Sequence, residues 1–149
     1  MEYTDLHYTD FIISIIAAMA AGLFIGIERQ MKNKNAGLKT NALVAVGAAI
    51  FVTISYEFIG VDHVDESRIL SQVVVGVGFL GAGVILKKNN EITGLATAAS
   101  IWCSAGLGCL AALQLYIELL ASTILIVLIN LVFGAINKYI DKKNDDYDQ

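Results

Sequence analysis

Four residues that can bind a ligand through charge or hydrogen bonds lie at neighbouring ends of two long apolar segments. Glu28 and Arg29 close the first segment, and Lys39 and Thr40 open the second after a short connection. We therefore expect the four side chains to form one polar cluster that binds an ionic ligand or a partner protein. The alternative interpretation is an interfacial ion pair with an arginine that reaches out of the apolar layer.

Polar residues inside apolar segments are costly, and they extend the set of candidate binding residues to Asn41 and Gln72. Cys103 and Cys109 are expected to be free thiols, because positions six apart lie about 240° apart around a helix. The sequence shows no nucleophile with a nearby base, no metal-ligand spacing and no nucleic-acid signature. We therefore predict no catalytic residue, no metal, no cofactor and no enzymatic activity.

Five apolar runs of 17 to 20 residues supply the framework for these side chains: 11–27, 41–59, 70–86, 97–113 and 117–136. About 20 apolar residues cross a hydrocarbon layer of about 30 Å, where only a helix satisfies its own backbone groups. The first and fifth runs lack the polar stripe of a soluble helical bundle. The sequence predicts an all-α integral membrane protein with five helices that span a lipid bilayer.

The basic residues indicate how these helices are oriented. Nine of the ten lysines and arginines lie in the first gap, in the third gap or after the fifth run, and the tenth is Arg68. The positive-inside rule then predicts an outer N-terminus and a cytoplasmic C-terminus. We place a membrane domain at residues 1–137 and a polar, disordered cytoplasmic tail at residues 138–149.

A shift of 57 residues aligns the first pair of helices with the second pair. Residues 37–40 (Gly-Leu-Lys-Thr) then match residues 94–97 (Gly-Leu-Ala-Thr). Both pairs start from the same side, so we predict a parallel repeat about an axis along the membrane normal. In each copy the glycine is expected to allow a tight turn and the threonine to cap the helix. Chance agreement among common residues is the alternative.

Small residues recur at spacings that let membrane helices pack closely. The candidate packing glycines are Gly22, Gly26, Gly76, Gly78, Gly81 and Gly83. The best ridge consists of Ser14, Ala18, Gly22 and Gly26, and we expect it to join copies of a homo-oligomer. The glycines of the third run have an alternative role, as a kink or a narrow path for a substrate.

Four segments resemble the MgtC/SapB family: residues 26–30 (GIERQ), 36–44 (AGLKTNALV), 78–85 (GFLGAGVI) and 94–106 (GLATAASIWCSAG). The resemblance runs in order from about residue 11 to residue 137. It adds Thr97, Trp102 and Cys103 to the candidate ligand- or partner-binding residues. It also implies a multi-pass protein of the bacterial inner membrane with about five helices.

Two departures from the family pattern bear on what the resemblance implies. Lys39 stands where the family usually has arginine, and lysine lacks the bidentate fork of a guanidinium. Longer family members also carry a soluble C-terminal domain, which does not follow the membrane segments here.

The resemblance implies a role in low-magnesium or acid stress. It favours a non-enzymatic regulator of another membrane complex, with the F-type ATP synthase as the kind of partner known for the family. The small-residue ridges and the lack of charge deep in any run also favour a regulator. The alternative is an oligomeric transporter of a small solute or ion, magnesium included, which the repeat and the glycine-rich third run favour.

Overall fold

A computed structural model describes residues 2–56, 65, 67–88 and 91–145 of the chain. Within these residues the chain forms five helices and one short hairpin in this order: α1 (Glu2–Met31), α2 (Leu38–Ser55), α3 (Ser67–Ala82), β1 (Leu86–Lys88), β2 (Glu91–Thr93), α4 (Leu95–Ala112) and α5 (Tyr116–Asp145). The prediction of an all-α membrane protein with five helices is confirmed.

Four of the helices are long and apolar enough, by length and composition, to cross a membrane. The four segments are Tyr8–Met31, Leu38–Ser55, Leu95–Ala112 and Tyr116–Asn137. The helix α3 is also apolar but has 16 residues, which at 1.5 Å per residue gives about 24 Å. It is shorter than its run because the chain leaves the helix at Ala82 and enters the hairpin.

Helices α1, α2 and α4 pack against one another and form the centre of the bundle. A Cβ atom built on Gly22 would lie 2.6 Å from the carbonyl oxygen of Asn41, and one on Gly26 would lie 2.5 Å from Cα of Leu38. A Cβ atom on Gly108 would overlap the carbonyl oxygen of Ala45. Because these three residues are glycines, the backbones of α1, α2 and α4 can come into contact.

This close packing places the ridge of Ser14, Ala18, Gly22 and Gly26 inside the chain's own core. Ser14 is 2% exposed and Ala18 is fully buried. The prediction that this ridge joins copies of a homo-oligomer is wrong, because α2 already covers it.

Helices α3 and α5 lie at the periphery, where α3 packs on α4 and α2, and α5 packs on α1 and α4. A Cβ atom built on Gly81 of α3 would lie 3.5 Å from Cβ of Ala98. A Cβ atom built on Gly83 would lie close to the turn that precedes it in the chain. By contrast, Gly76 and Gly78 have no described atom within 4 Å of such a Cβ. These two glycines therefore pack on nothing within the described part of the chain.

The two connections on the basic side differ from the capping prediction. The N-caps of α2 and α4 are Gly37 and Gly94, without a side-chain cap, and Thr40 and Thr97 lie inside the first helical turns. Gly94 has φ of +91°, a left-handed conformation that favours glycine, and it packs on the carbonyl of Val84. The prediction of threonine caps is wrong, because the N-caps lie three residues earlier, at the glycines.

The predicted tail also begins as helix. Helix α5 continues to Asp145, well past residue 138, where we expected disorder to start. No proline or glycine follows Gly134, so no residue that breaks a helix interrupts this polar segment.

Contacts between helices place the two basic connections on one side of the bundle. On that side Arg29 meets Thr97, whereas on the opposite side the hydroxyl of Tyr56 donates to the carbonyl of Ala112. Which side is cytoplasmic stays a prediction. The repeat about the membrane normal also stays a prediction, although Gly37 and Gly94 cap α2 and α4 at equivalent points.

Candidate functional site

The last turns of α1 bury two charged side chains where α2 and α4 begin. Glu28 is 6% exposed and Arg29 is 5% exposed. Consecutive residues on a helix point about 100° apart. The two side chains consequently reach different neighbours: Glu28 reaches Lys32, and Arg29 reaches α4.

Arg29 joins α1 to the first turn of α4. Its Nη2 atom donates a hydrogen bond of 2.6 Å to Oγ1 of Thr97, which is 5% exposed. Its Nε atom is buried and has no hydrogen-bond partner. Within the described residues, no carboxylate lies at ion-pair distance from this guanidinium.

Glu28 joins α1 to α5 through Lys32. The Nζ atom of Lys32 lies 2.8 Å from Oε1 of Glu28 and donates, also over 2.8 Å, to the backbone oxygen of Asn130. Gly134 makes room for this ammonium, since a Cβ there would lie 2.7 Å from Nζ. Besides Nε of Arg29, two buried atoms have no hydrogen-bond partner within the described part of the chain, Oε2 of Glu28 and Nδ2 of Asn130.

Asn41 joins the start of α2 to α4 and is fully buried. Its Nδ2 atom donates to the carbonyl oxygens of Ala36 and Gly37, and its Oδ1 atom accepts a hydrogen bond of 2.8 Å from Ser104. Because its three hydrogen bonds are directed and at least partly buried, the amide holds the connection before α2 in one position.

We call this set the polar cluster: Glu28, Arg29, Lys32, Asn41, Thr97 and Ser104. It contains two cations and one carboxylate, and the N-termini of α2 and α4 each add about half a positive charge. The cluster is therefore electropositive overall. Such an arrangement can bind an anionic group or hold helices together, and it contains no pairing of a nucleophile with a base.

The structure brings together only part of the predicted four-residue cluster. Lys39 and Thr40 are exposed, and neither forms a hydrogen bond or ion pair with Glu28 or Arg29 in the described chain. Leu38 packs on Gly26, which leaves the next two side chains on the outer surface of α2. Thr97, from the other copy of the repeated motif, is the threonine that Arg29 contacts.

The remaining candidate residues line two apolar clefts. Gln72 lies in a cleft of about 560 Å³ between α2 and α3, which is also lined by Gly47 and Gly76. Trp102, which is 54% exposed, and the partly buried Cys103 line a second cleft, between α3, α4 and α5. None of these three candidate residues reaches the polar cluster.

Sequence reasoning missed two contacts here: Lys32 as the partner of Glu28, and the backbone oxygen of Asn130 as the acceptor of Lys32. A signal for Lys32 was present, because a lysine four residues after a glutamate on a helix can pair with it. Asn130 has no such signal, since its distance of 98 positions from Lys32 is bridged only by the packing of α5 on α1.

The apolar helices and the buried polar cluster at one end define a multi-pass helical membrane protein. The chain belongs to the MgtC family, whose family model matches residues 15–139. This confirms the resemblance seen in the sequence motifs. Its relatives come from bacteria, so the chain is a bacterial membrane protein.

Three relatives illustrate the similarity. The protein named MgtC of Salmonella typhimurium LT2 is 46% identical over 82% of this chain and 52% of its own length. The "Putative magnesium transporter YhiD" of Escherichia coli K12 is 51% identical over 66% of this chain and 49% of its own length. An uncharacterized protein of Synechocystis is 38% identical over 91% of this chain and 57% of its own length.

The chain spans about half the length of the curated relatives it matches. No solved structure matches it.

Proposed function

We propose that this protein is a non-enzymatic regulator in the bacterial inner membrane that supports adaptation to low magnesium or acid stress. It acts by binding a helix of another membrane complex in the cleft between α2 and α3. Family membership and the magnesium-related name of one relative support the physiological setting. The shape and composition of the cleft carry the proposal.

The cleft has the features of a helix-binding groove in a membrane. Gly47 and Gly76 face it, and neither has a described atom within 4 Å of a built Cβ. Such open small residues let the backbone of another helix approach closely. A helix with a bulky side chain at the contact would fill these gaps, which gives a specific fit.

Gln72 distinguishes a protein helix from a lipid tail as the occupant. Its amide lies in this otherwise apolar cleft and forms no hydrogen bond with the described chain. An acyl chain offers no hydrogen-bonding group, whereas a helix with a polar side chain satisfies the amide. We therefore assign the cleft to a transmembrane helix of a partner complex, with the F-type ATP synthase as the kind of complex that the family suggests.

The packed core supports regulation over transport by this single chain. Below the polar cluster the core consists mainly of apolar side chains, among them Ala45, Ala48 and Ala49, each at most 3% exposed, and it also holds the uncharged Ser14 and Ser55. Gly108 packs directly on Ala45 at this level. No charged residue interrupts this layer among the described residues.

The test compares two glycine substitutions on α3. Gly76→Leu fills the cleft, and Gly78→Leu adds the same side chain to the same helix outside the cleft residues. A Cβ atom built at either position meets nothing within 4 Å in the described chain outside its own helical turns, and both positions are exposed, so both variants are expected to insert and fold. We expect Gly76→Leu, and not Gly78→Leu, to lose growth in low magnesium in a host that lacks its own family member.

Membrane levels of both variants are checked by blot. If Gly76→Leu complements fully at a membrane level equal to that of the wild type, the cleft is not the functional surface.

Magnesium transport is the second candidate function, and the buried Glu28 carboxylate favours it. Its Oε2 atom has no partner, and Mg²⁺ prefers carboxylate oxygen as a ligand. Magnesium flux into liposomes that contain the purified chain alone tests this candidate. A magnesium flux that exceeds the flux into empty liposomes, and that is lost in Glu28→Gln, would establish transport and contradict the regulator hypothesis.

A further inference from the structure

The guanidinium of Arg29 is a buried cation without a counter-charge in direct contact. It is 5% exposed, and Nη2 donates to a neutral hydroxyl while Nε has no partner. The nearest carboxylate in sequence, Glu28, is instead bound by Lys32 over 2.8 Å. Burying a charge without a counter-charge costs free energy, because protein dipoles replace only part of its hydration.

The N-terminus of α4 lies beside this cation. Arg29 reaches Thr97 in the first turn of this 18-residue helix. The helix has Gly94 as its N-cap and no side-chain cap hydrogen bond. The N–H groups of a first turn have no acceptor within the helix, and they carry the positive end of its dipole.

The first turn of α4 is open to a ligand from outside. Leu95 is 59% exposed and Ala96 is also exposed, whereas Thr97 is buried beneath them against Arg29. A ligand at this first turn would therefore have the guanidinium on its inner side.

We propose that the N-terminus of α4 and Arg29 form a binding site for a phosphate-class anion. Backbone N–H groups at a helix start and a guanidinium fork are complementary to the oxygens of such an anion. The hydrogen bond to Thr97 is a positioning contact that directs the guanidinium towards the first turn. The anion would add a negative charge bonded directly to the guanidinium, because the neighbouring carboxylate of Glu28 acts on Arg29 electrostatically but is ion-paired with Lys32.

Two sources offer this chemistry at a membrane surface, a free phosphate ion and the phosphodiester of a lipid headgroup. The first arm of the test adds inorganic phosphate to delipidated full chain in a nonionic detergent, with chloride at equal ionic strength as the reference. A saturable rise in the midpoint of thermal unfolding reports binding. The second arm counts phospholipids that stay bound to the chain by native mass spectrometry.

We expect saturable phosphate binding, one retained phospholipid per chain, or both. Arg29→Gln is expected to weaken this binding at least about tenfold, because it removes charge-assisted hydrogen bonds. Arg68→Gln is the matched control: it changes an exposed arginine at the start of α3, and binding is expected to stay at the wild-type level.

Two milder variants keep the inference testable if Arg29→Gln does not fold. Arg29→Lys keeps the charge and loses the fork, and Thr97→Val removes only the positioning contact. Both are expected to weaken binding several-fold, and both leave the α2–α3 cleft unchanged. A wild-type chain that binds neither phosphate nor phospholipid above the chloride reference would overturn the site, as would equal binding by Arg29→Gln and Arg68→Gln.

Discussion

Arg29 donates a hydrogen bond of 2.6 Å to the hydroxyl of Thr97, 68 positions later in the chain. The contact joins the end of α1 to the start of α4, and both side chains are buried. It is one of the tertiary contacts that hold the polar cluster together, with Asn41–Ser104 and Lys32–Asn130.

Thr97→Val is expected to lower the free energy of unfolding by about 1–3 kcal/mol, since it leaves a buried guanidinium with one hydrogen bond fewer. Thr53→Val is the control, because the Thr53 hydroxyl donates to the carbonyl of Ala49 on its own helix. Unfolding in detergent, followed by circular dichroism, compares the two. An equal loss in both variants would show that the contact between α1 and α4 adds no stability.

Gly108→Ala and Gly106→Ala are expected to change stability in opposite directions, although both lie on α4. A Cβ on Gly108 overlaps the carbonyl of Ala45 and would force α2 from α4, at a cost of at least about 1–3 kcal/mol. A Cβ on Gly106 meets nothing within 4 Å, so alanine there is expected to stabilise the helix by about 0.5–1 kcal/mol. Thermal unfolding midpoints check the signs. A Gly108→Ala variant as stable as the wild type would contradict the close contact between α4 and α2.

Lys32→Met is expected to loosen α5, because it removes the ammonium that links Glu28 to the backbone of Asn130. Lys34→Met changes an exposed lysine two positions away and serves as the control. Hydrogen exchange along α5 measures the effect, and faster exchange near Asn130 is expected in Lys32→Met alone. Equal exchange in the two variants would show that Lys32 is a solvated surface charge.

The number and order of the helices could be predicted because long apolar runs leave the backbone few alternatives in a membrane. Glu28 and Arg29 could be placed beside the start of α2, because the connection between α1 and α2 is short, but the same argument wrongly included Lys39 and Thr40 in the cluster. The sequence could not predict that Arg29 contacts Thr97 and not Thr40. Both threonines follow the same Gly-Leu motif, and only the packing of Leu38 on Gly26 turns Thr40 outward.

The position of the first small-residue ridge in the fold also could not be predicted from the sequence. Ser14, Ala18, Gly22 and Gly26 form a face that fits any close helix, in the same chain or in another copy. In the structure the partner is internal, because Gly22 and Gly26 pack on the backbone of α2. The hairpin at Leu86–Lys88 and Glu91–Thr93 was missed because the apolar run continues to Leu86 while the helix ends at Ala82.

The proposed orientation predicts which connections react with an impermeant thiol reagent in intact cells. With Cys103 and Cys109 replaced by alanine, Asp65→Cys is expected to react and Lys34→Cys to react only after the cells are opened. Both positions are exposed. Asp62, which the charge pattern also predicts to be outside, lies beyond the described residues. The reverse labelling pattern would overturn the cytoplasmic position of the polar cluster.

Site-specific photocrosslinking tests whether a helix of another membrane complex binds in the α2–α3 cleft, as we propose. Phe51 lines the cleft and is 57% exposed, whereas Phe133 on α5 is 58% exposed and is not a cleft residue. Each is replaced in turn by benzoylphenylalanine, and membranes from cells grown in low magnesium are irradiated. We predict a discrete crosslink from position 51, and none from position 133, to a membrane protein other than this chain. Crosslinks to lipid alone, to a second copy alone, or equally from both positions would contradict the claim.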